Sequence, residues 1–179
     1  RSPTTGPQLV GRPPMSVWFD DSQQIDGCIH VVERALETDA WAGRLGGVET
    51  TRYGLKVTSS LPMDQAEQRI RQALADEGFG VLTEIDLAAT LQAKLGLEIA
   101  PYRILGACRP PLAAAAVQSE PDIGLLLPCN VVVYADDDHT VIAALDPHTM
   151  VELTGNSTMA DVADDARSRL ERALAAAAD

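Results

Sequence analysis

The sequence predicts an α+β domain built on one mainly antiparallel sheet covered by helices, in the order strand, helix, several strands, helix. Short apolar segments, several of which alternate apolar with polar residues, are typical of strands. Helical patterns separate some of these segments but not all, so the strict alternation that builds a parallel sheet is absent. The GFG at residues 78–80 also lacks the spacing of a dinucleotide-binding loop.

The composition indicates a folded protein of the cytoplasm. Of the 179 residues, 46% are hydrophobic and 22% are charged, as in globular proteins. The 26 acidic and 14 basic residues give a net charge of -12, which argues against nucleic acid and anionic membranes as partners. No apolar segment reaches the roughly 18 residues that span a membrane. Three cysteines without framework spacing fit a reducing compartment better than a disulfide scaffold.

The sequence predicts that the chain has two parts, an N-terminal extension and a folded domain. Residues 1–51 are expected to form a partly disordered N-terminal extension, because residues 1–15 are rich in Pro and Gly and lack an apolar period. Only VVERAL, at residues 31–36, has a weak helical pattern. Because the sequence begins with Arg1 instead of Met, the first residues are expected to come either from an expression vector or from a wrongly assigned start. The folded domain is expected to span residues 52–179.

The domain is predicted to begin with a strand and a helix. Tyr53, Leu55 and Val57 alternate with glycine or polar residues, which predicts a strand with one buried face. The following helix is expected to begin at a serine cap in SSLP, with proline in its first turn, and to end at Gly78. Its buried stripe is predicted to be Ala66, Ile70, Ala73 and Leu74.

Two more strands and two short helices are predicted before residue 120. FGVLTEI at residues 79–85 predicts a strand, and Asp86 is expected to cap a helix that ends at Gly96. Residues 102–107 predict the next strand. Two prolines then stop that strand, and LAAAAVQ at residues 112–118 predicts a short helix.

The second half is predicted to contain three strands and a long helix. The strands are IGLLL, NVVVYA and TVIAALD, and a tight polar turn from Asp136 to His139 joins the last two. Thr158 and Asp161 resemble a capping box at the start of the C-terminal helix, whose final alanines are expected to fray. The buried face of that helix is predicted to be Val162, Ala166, Leu170, Ala173 and Leu174.

Cys108 and Cys129 are the first candidates for chemistry. A pair of thiolates can bind a soft metal such as copper or zinc, form a transient disulfide or carry a sulfane sulfur, and Arg109 beside Cys108 would favour a thiolate. The two cysteines are 129 − 108 = 21 residues apart, so spacing does not bring them together. The alternative is that both are inert core residues, because each ends an apolar run.

Glu84 and Asp86 lie on one face of the predicted strand, where two carboxylates can act as acid and base or bind a hard metal. The alternatives are a salt bridge for Glu84 and a capping role for Asp86. Asn130, beside the second candidate cysteine, is a further ligand-binding candidate.

The histidines point less clearly to a site. His139 and His148 are expected at the surface, in a turn and a loop. Cys28 and His30 supply two ligands, whereas a structural zinc site needs four.

Several motifs in order resemble the domain of unknown function 302 family. They are GFGVLTEID at residues 78–86, YRILGAC at 102–108, LLLPCNVVV at 125–133 and Asp146-Pro147, and the resemblance covers residues 52 to about 150. It implies a small α+β domain similar to the TATA-binding-protein-like superfold, commonly a homodimer, with no established reaction. The family usually has Asn after the first motif cysteine, whereas this chain has Arg109, which can bind an anion bidentately or point to solvent.

Two functions are weighed. The first is a non-catalytic homodimer that binds a small ligand or a soft metal in a pocket lined by Cys108, Cys129, Arg109 and Glu84. The second is a thiol-dependent enzyme or carrier in sulfur or redox metabolism, with Cys108 or Cys129 as the nucleophile. The first is preferred, because no base or basic patch is clearly placed to activate a thiolate.

Overall fold

The computed structural model describes residues 47–178, and its centre is a six-stranded sheet. All neighbouring strands are antiparallel, in the order β1-β2-β6-β5-β4-β3. This confirms the α+β class. The strands are β1 Glu49–Thr50, β2 Gly54–Ser59, β3 Gly80–Asp86, β4 Tyr102–Cys108, β5 Cys129–Asp136 and β6 His139–Leu145. The helices are α1 Met63–Asp76, α2 Leu87–Leu95, α3 Pro110–Ser119, α4 His148–Thr154 and α5 Ala160–Ala177, with 3-10 turns at Pro121–Leu126 and Ser157–Met159.

The main core lies between one face of the sheet and the two long helices, α1 and α5. Strand alternation brings apolar side chains from four strands to this face, and each helix covers them with one apolar face. Each fully buried Leu or Ile here contributes about 1.5–3 kcal/mol. The largest fully buried side chains of this core are Leu55, Ile70, Leu74, Leu105, Ile142, Leu170 and Leu174.

A second apolar cluster lies where β4 ends and β5 begins. Its buried members are Ala116, Ile123, Cys129, Met150 and Met159, which come from α3, both 3-10 turns, α4 and the start of β5. Because no single element contributes more than a residue or two, the cluster depends on how short segments pack together. This cluster surrounds the candidate site.

The sequence predicts where the helices end more accurately than it predicts which side chains cap them. The glycine stops are confirmed, because Gly78 and Gly96 have φ values of 82° and 66°. Asp86 caps α2 as predicted, accepting a hydrogen bond from the Ala89 N–H at 2.8 Å. The predicted serine cap of α1 is wrong, because Pro62 occupies the N-cap position and no side chain caps the helix.

The predicted capping box of α5 is also wrong. Met159 precedes this helix without a side-chain cap, and the Asn156 side chain instead accepts from the Thr158 N–H at 3.1 Å. The predicted fraying fails as well, because Ala177 and Ala178 are buried in the main core. On the predicted buried face, Val162 is only half-buried and Ala163 is buried in its place.

Three further predictions need correction. IGLLL is not a strand, because residues Pro121–Leu126 form a 3-10 turn and β5 already pairs with β4 and β6 on its two sides. His148 does not lie in a loop; it begins α4, where its N–H donates to the Asp146 carboxylate at 3.0 Å. Tyr53 precedes β2 and is 66% exposed, so it contributes nothing to the buried face.

The predicted boundary at residue 52 divides a hairpin. The short strand β1 pairs antiparallel with β2, so the sheet includes residues 49–50 of the predicted extension. The VVERAL helix and the Cys28–His30 pair lie outside the described residues.

Candidate ligand-binding site

A cavity opens beside the ends of β4 and β5, between α3, α4 and α5. Sixteen of the described residues line it, and of these sixteen only Arg109 carries a charge. The space accessible to water-sized molecules is about 50 Å³, and because the cavity is partly open to solvent, a ligand longer than this space can extend out of it. The apolar walls come mainly from the second cluster, including Ile123, Met150 and Met159.

Both candidate cysteines line this cavity. Cys129 pairs with Ala107 across β4 and β5, and Cys108 is the last residue of β4. The strand ends there because Pro110 and Pro111 start α3. Register, not sequence spacing, therefore brings the two thiols to one cavity. Both are free.

The Cys129 thiol is poorly suited to form a thiolate. It is 8% exposed, and burial, with a smaller contribution from Cys108, raises its pKa to about 11. Cys129 therefore stays protonated at neutral pH. A nucleophilic cysteine would need the opposite shift.

Arg109 lies at the cavity's edge, immediately before α3. Its guanidinium is 3.6 Å from the Asp165 carboxylate of α5. Gly78 leaves room for this side chain, because a Cβ built at Gly78 would lie 3.4 Å from the Arg109 Nε. The side chain of Arg109 is 23% exposed, so its charged group is partly removed from water.

The other two predicted ligand residues lie elsewhere. Glu84 is outside the cavity lining and accepts a hydrogen bond from Arg71 of α1 at 2.5 Å, which matches the salt-bridge alternative. Asn130 is exposed and pairs with Gly106 of β4, and it too is outside the lining. The cavity therefore unites Cys108, Cys129 and Arg109, three of the five candidates.

The sequence did not single out a buried carboxylate beside Glu84. Glu67 of α1 is 6% exposed, and both Arg71 and Arg103 donate hydrogen bonds to it. Burial acts to raise the pKa of Glu67, but the hydrogen bonds and charges of the two guanidiniums outweigh it and hold the pKa below its usual value of 4.5. The Glu67–Arg71 spacing of four residues on a helix was the available signal.

His148 takes part in a hydrogen-bonded group between α4 and α5. Its Nε2 lies 2.6 Å from the Asp164 carboxylate, and its Nδ1 lies 3.1 Å from an Arg167 nitrogen. Since the guanidinium can only donate, Nδ1 accepts and Nε2–H donates to Asp164. Within residues 47–178, no cluster of three or more His, Cys, Asp or Glu side chains is arranged to hold a metal ion.

The matches with known proteins agree with the fold. A sequence model of the domain of unknown function DUF302 matches residues 55–177. The chain belongs to the DUF302 family. The DUF302 match runs past residue 150, where the motif resemblance was expected to end, and includes α5. An uncharacterized conserved DUF302 protein from Bacillus stearothermophilus is similar in structure, with a TM-score of 0.65 and 31% sequence identity.

The structural match covers 69% of this chain and 97% of the Bacillus stearothermophilus chain. A search of curated proteins gave no match. Over residues 47–178 of this DUF302 chain, no helix has the length and apolarity needed to cross a membrane.

Proposed function

We propose that this DUF302 chain binds a small organic ligand in the cavity beside Cys108 and Cys129. The observation that carries the proposal is the lining, in which the residues that the structure describes form apolar walls with a single charge at the edge. Small-molecule sites commonly combine mostly apolar walls with a few fixed polar groups. The ligand's apolar part would replace water in the cavity.

The same geometry favours an organic ligand over copper or zinc. A soft metal would require thiolates, and the raised pKa of Cys129 makes its deprotonation unfavourable at neutral pH. The alternative, thiol-dependent chemistry, is better assigned to Cys108, which is half-buried and followed by Arg109. It predicts that Cys108 reacts with iodoacetamide at pH 7 faster than the same cysteine in urea, and a slower reaction would remove this alternative.

The binding proposal can be tested with 1-hexanol and a matched pair of variants. Ala113 lines the cavity, whereas Ala114 is exposed on the same helix. We expect 1-hexanol to shift NMR signals of cavity residues, Ala113→Leu to weaken its binding several-fold, and Ala114→Leu to leave it unchanged. Equal binding by the two variants, or shifts outside the cavity only, would reject the proposal.

We further propose that the chain forms a homodimer through β3 and the sheet face opposite α1 and α5. Ile85 pairs in register with Ile104, which pairs with Val132, so these apolar side chains lie together on that face. Ile85 is 47% exposed and Leu82 is 65% exposed, and β3, which holds both, pairs with only one strand among residues 47–178. An exposed apolar edge strand is typically covered by another chain.

Light scattering at micromolar concentration tests the dimer. We expect a dimeric mass for the wild type, a monomeric mass for Leu82→Asp, and no change for Leu125→Asp, which alters a leucine of the 3-10 turn that is 87% exposed. A monomeric wild type would contradict the dimer.

The cytoplasm is the compartment that the proposal implies, because two thiols that line one cavity and stay free suit a reducing environment.

A further inference from the structure

Arg109 differs from the other partly buried arginines in its hydrogen bonding. Arg71, Arg103, Arg167 and Arg169 each donate at least one hydrogen bond to a carboxylate. Within residues 47–178, the Arg109 guanidinium takes part in an ion pair but in no hydrogen bond. The described residues therefore accept no hydrogen bond from its five N–H donors, although the group is only 23% exposed.

The neighbouring acid does not supply the missing acceptor. The Asp165 carboxylate is 3.6 Å from Arg109, but both of its oxygens accept from the Arg169 Nε, at 3.0 and 3.1 Å. Asp165 thus balances part of the Arg109 charge without filling its donors. Because Gly78 has no side chain, the Arg109 side chain lies over that glycine at the edge of the cavity.

We propose that the ligand is a small carboxylic acid with an apolar body, held by its carboxylate on Arg109 and by its apolar body in the cavity. This inference rests on the proposed function and adds the chemical class of the ligand. A planar guanidinium offers paired donors that match a carboxylate. A preference of this site for an anion must come from Arg109 itself, because the chain as a whole carries a net charge of -12 and repels anions.

Three probes of equal chain length test this inference: hexanoate, 1-hexanol and hexylammonium. Titrations followed by NMR should show hexanoate binding about tenfold more tightly than 1-hexanol, the effect of one charge-assisted hydrogen bond. Hexylammonium should bind more weakly than 1-hexanol at the cavity, although the overall charge of the protein attracts it. Added NaCl should reduce the advantage of hexanoate.

Arg109→Gln should reduce the affinity for hexanoate to that for 1-hexanol and leave 1-hexanol binding unchanged. The matched control is Arg69→Gln, which removes the same charge from an exposed position of α1 and should change neither affinity. If Arg109→Gln fails to fold, the comparison of the three probes on the wild type still decides the inference.

The outcomes separate the two proposals. Equal binding of hexanoate and 1-hexanol to the wild type, or tighter binding of hexylammonium, overturns the carboxylate inference and leaves the cavity proposal standing. If none of the three probes perturbs the cavity signals, the proposed function fails and the inference fails with it. A hexanoate preference that survives in Arg109→Gln also overturns the inference, because another group then binds the anion.

Discussion

Replacement of Gly106 by alanine tests how closely β4 packs against Thr83 and Pro128. Gly106 lies in β4, and a Cβ built there would lie 2.2 Å from the Thr83 Oγ1 and 2.7 Å from the Pro128 Cγ. Both distances are well below ordinary contact. Thr83 can turn its side chain away, but the proline ring is rigid and directly precedes Cys129.

The expected loss in unfolding free energy follows from two opposing effects. Overpacking a close contact costs about 1–3 kcal/mol. Alanine also restricts the unfolded chain, which offsets about 0.4–1 kcal/mol. We therefore expect Gly106→Ala to lower the unfolding free energy by about 1–2 kcal/mol, and to lower Tm by roughly 3–10 °C.

Urea unfolding followed by circular dichroism measures this change. Gly124→Ala is the matched control, because a Cβ at Gly124 would have no atom within 4 Å. Adding Thr83→Ala to Gly106→Ala should recover part of the lost stability but not all of it, since the contact with Pro128 remains. A Gly106→Ala protein as stable as the Gly124→Ala protein would refute the reasoning.

Three shorter predictions concern charge, reactivity and capping. Glu67→Gln should lower the free energy of unfolding by about 1–3 kcal/mol at pH 7. Because the folded-state pKa of Glu67 lies below 4.5, this loss should be full above pH 4.5 and should disappear as the pH falls through the folded-state pKa. A loss of stability that does not change with pH would contradict the prediction. Cys129 should react with iodoacetamide at pH 8 roughly 100-fold more slowly in the folded protein than in urea, because burial raises its pKa. Peptide mass spectrometry measures both rates, and similar rates would contradict a raised pKa. Asp86→Ala should destabilise α2 by about 1 kcal/mol and speed hydrogen exchange at the Ala89 amide, and unchanged exchange would count against the cap.

The parts of the fold that the sequence predicted are those governed by local pattern. The α1 stripe and the β5–β6 hairpin each have a clear period, and Gly78 and Gly96 end helices because other residues rarely adopt their backbone conformation. IGLLL was misassigned because a run of five apolar residues fits a strand or a buried turn equally well. Its conformation depends on which strands already flank β5, and that information is not local.

The candidate site could be predicted only in part. Cys108 and Arg109 stood out as neighbours in the sequence, but the approach of Cys129 required the register of β4 against β5. Glu84 was wrongly assigned to the pocket because strand alternation predicts the side of the sheet on which Glu84 lies, but not that α1 packs on that side. The ion pair with Arg71 shows that this face meets α1, away from the cavity.

A ligand in the cavity would make packing contacts that the small side chains of the lining do not make with one another. Five of the described lining residues are alanines, and filling about 50 Å³ of apolar space contributes on the order of 1 kcal/mol. A leucine at Ala113 fills part of this space from a half-buried position, so the variant should unfold at the same or a higher urea concentration than wild type. It should also bind 1-hexanol more weakly. These opposite effects would show that the open space itself is the binding site, because damage to the fold would lower stability and binding together.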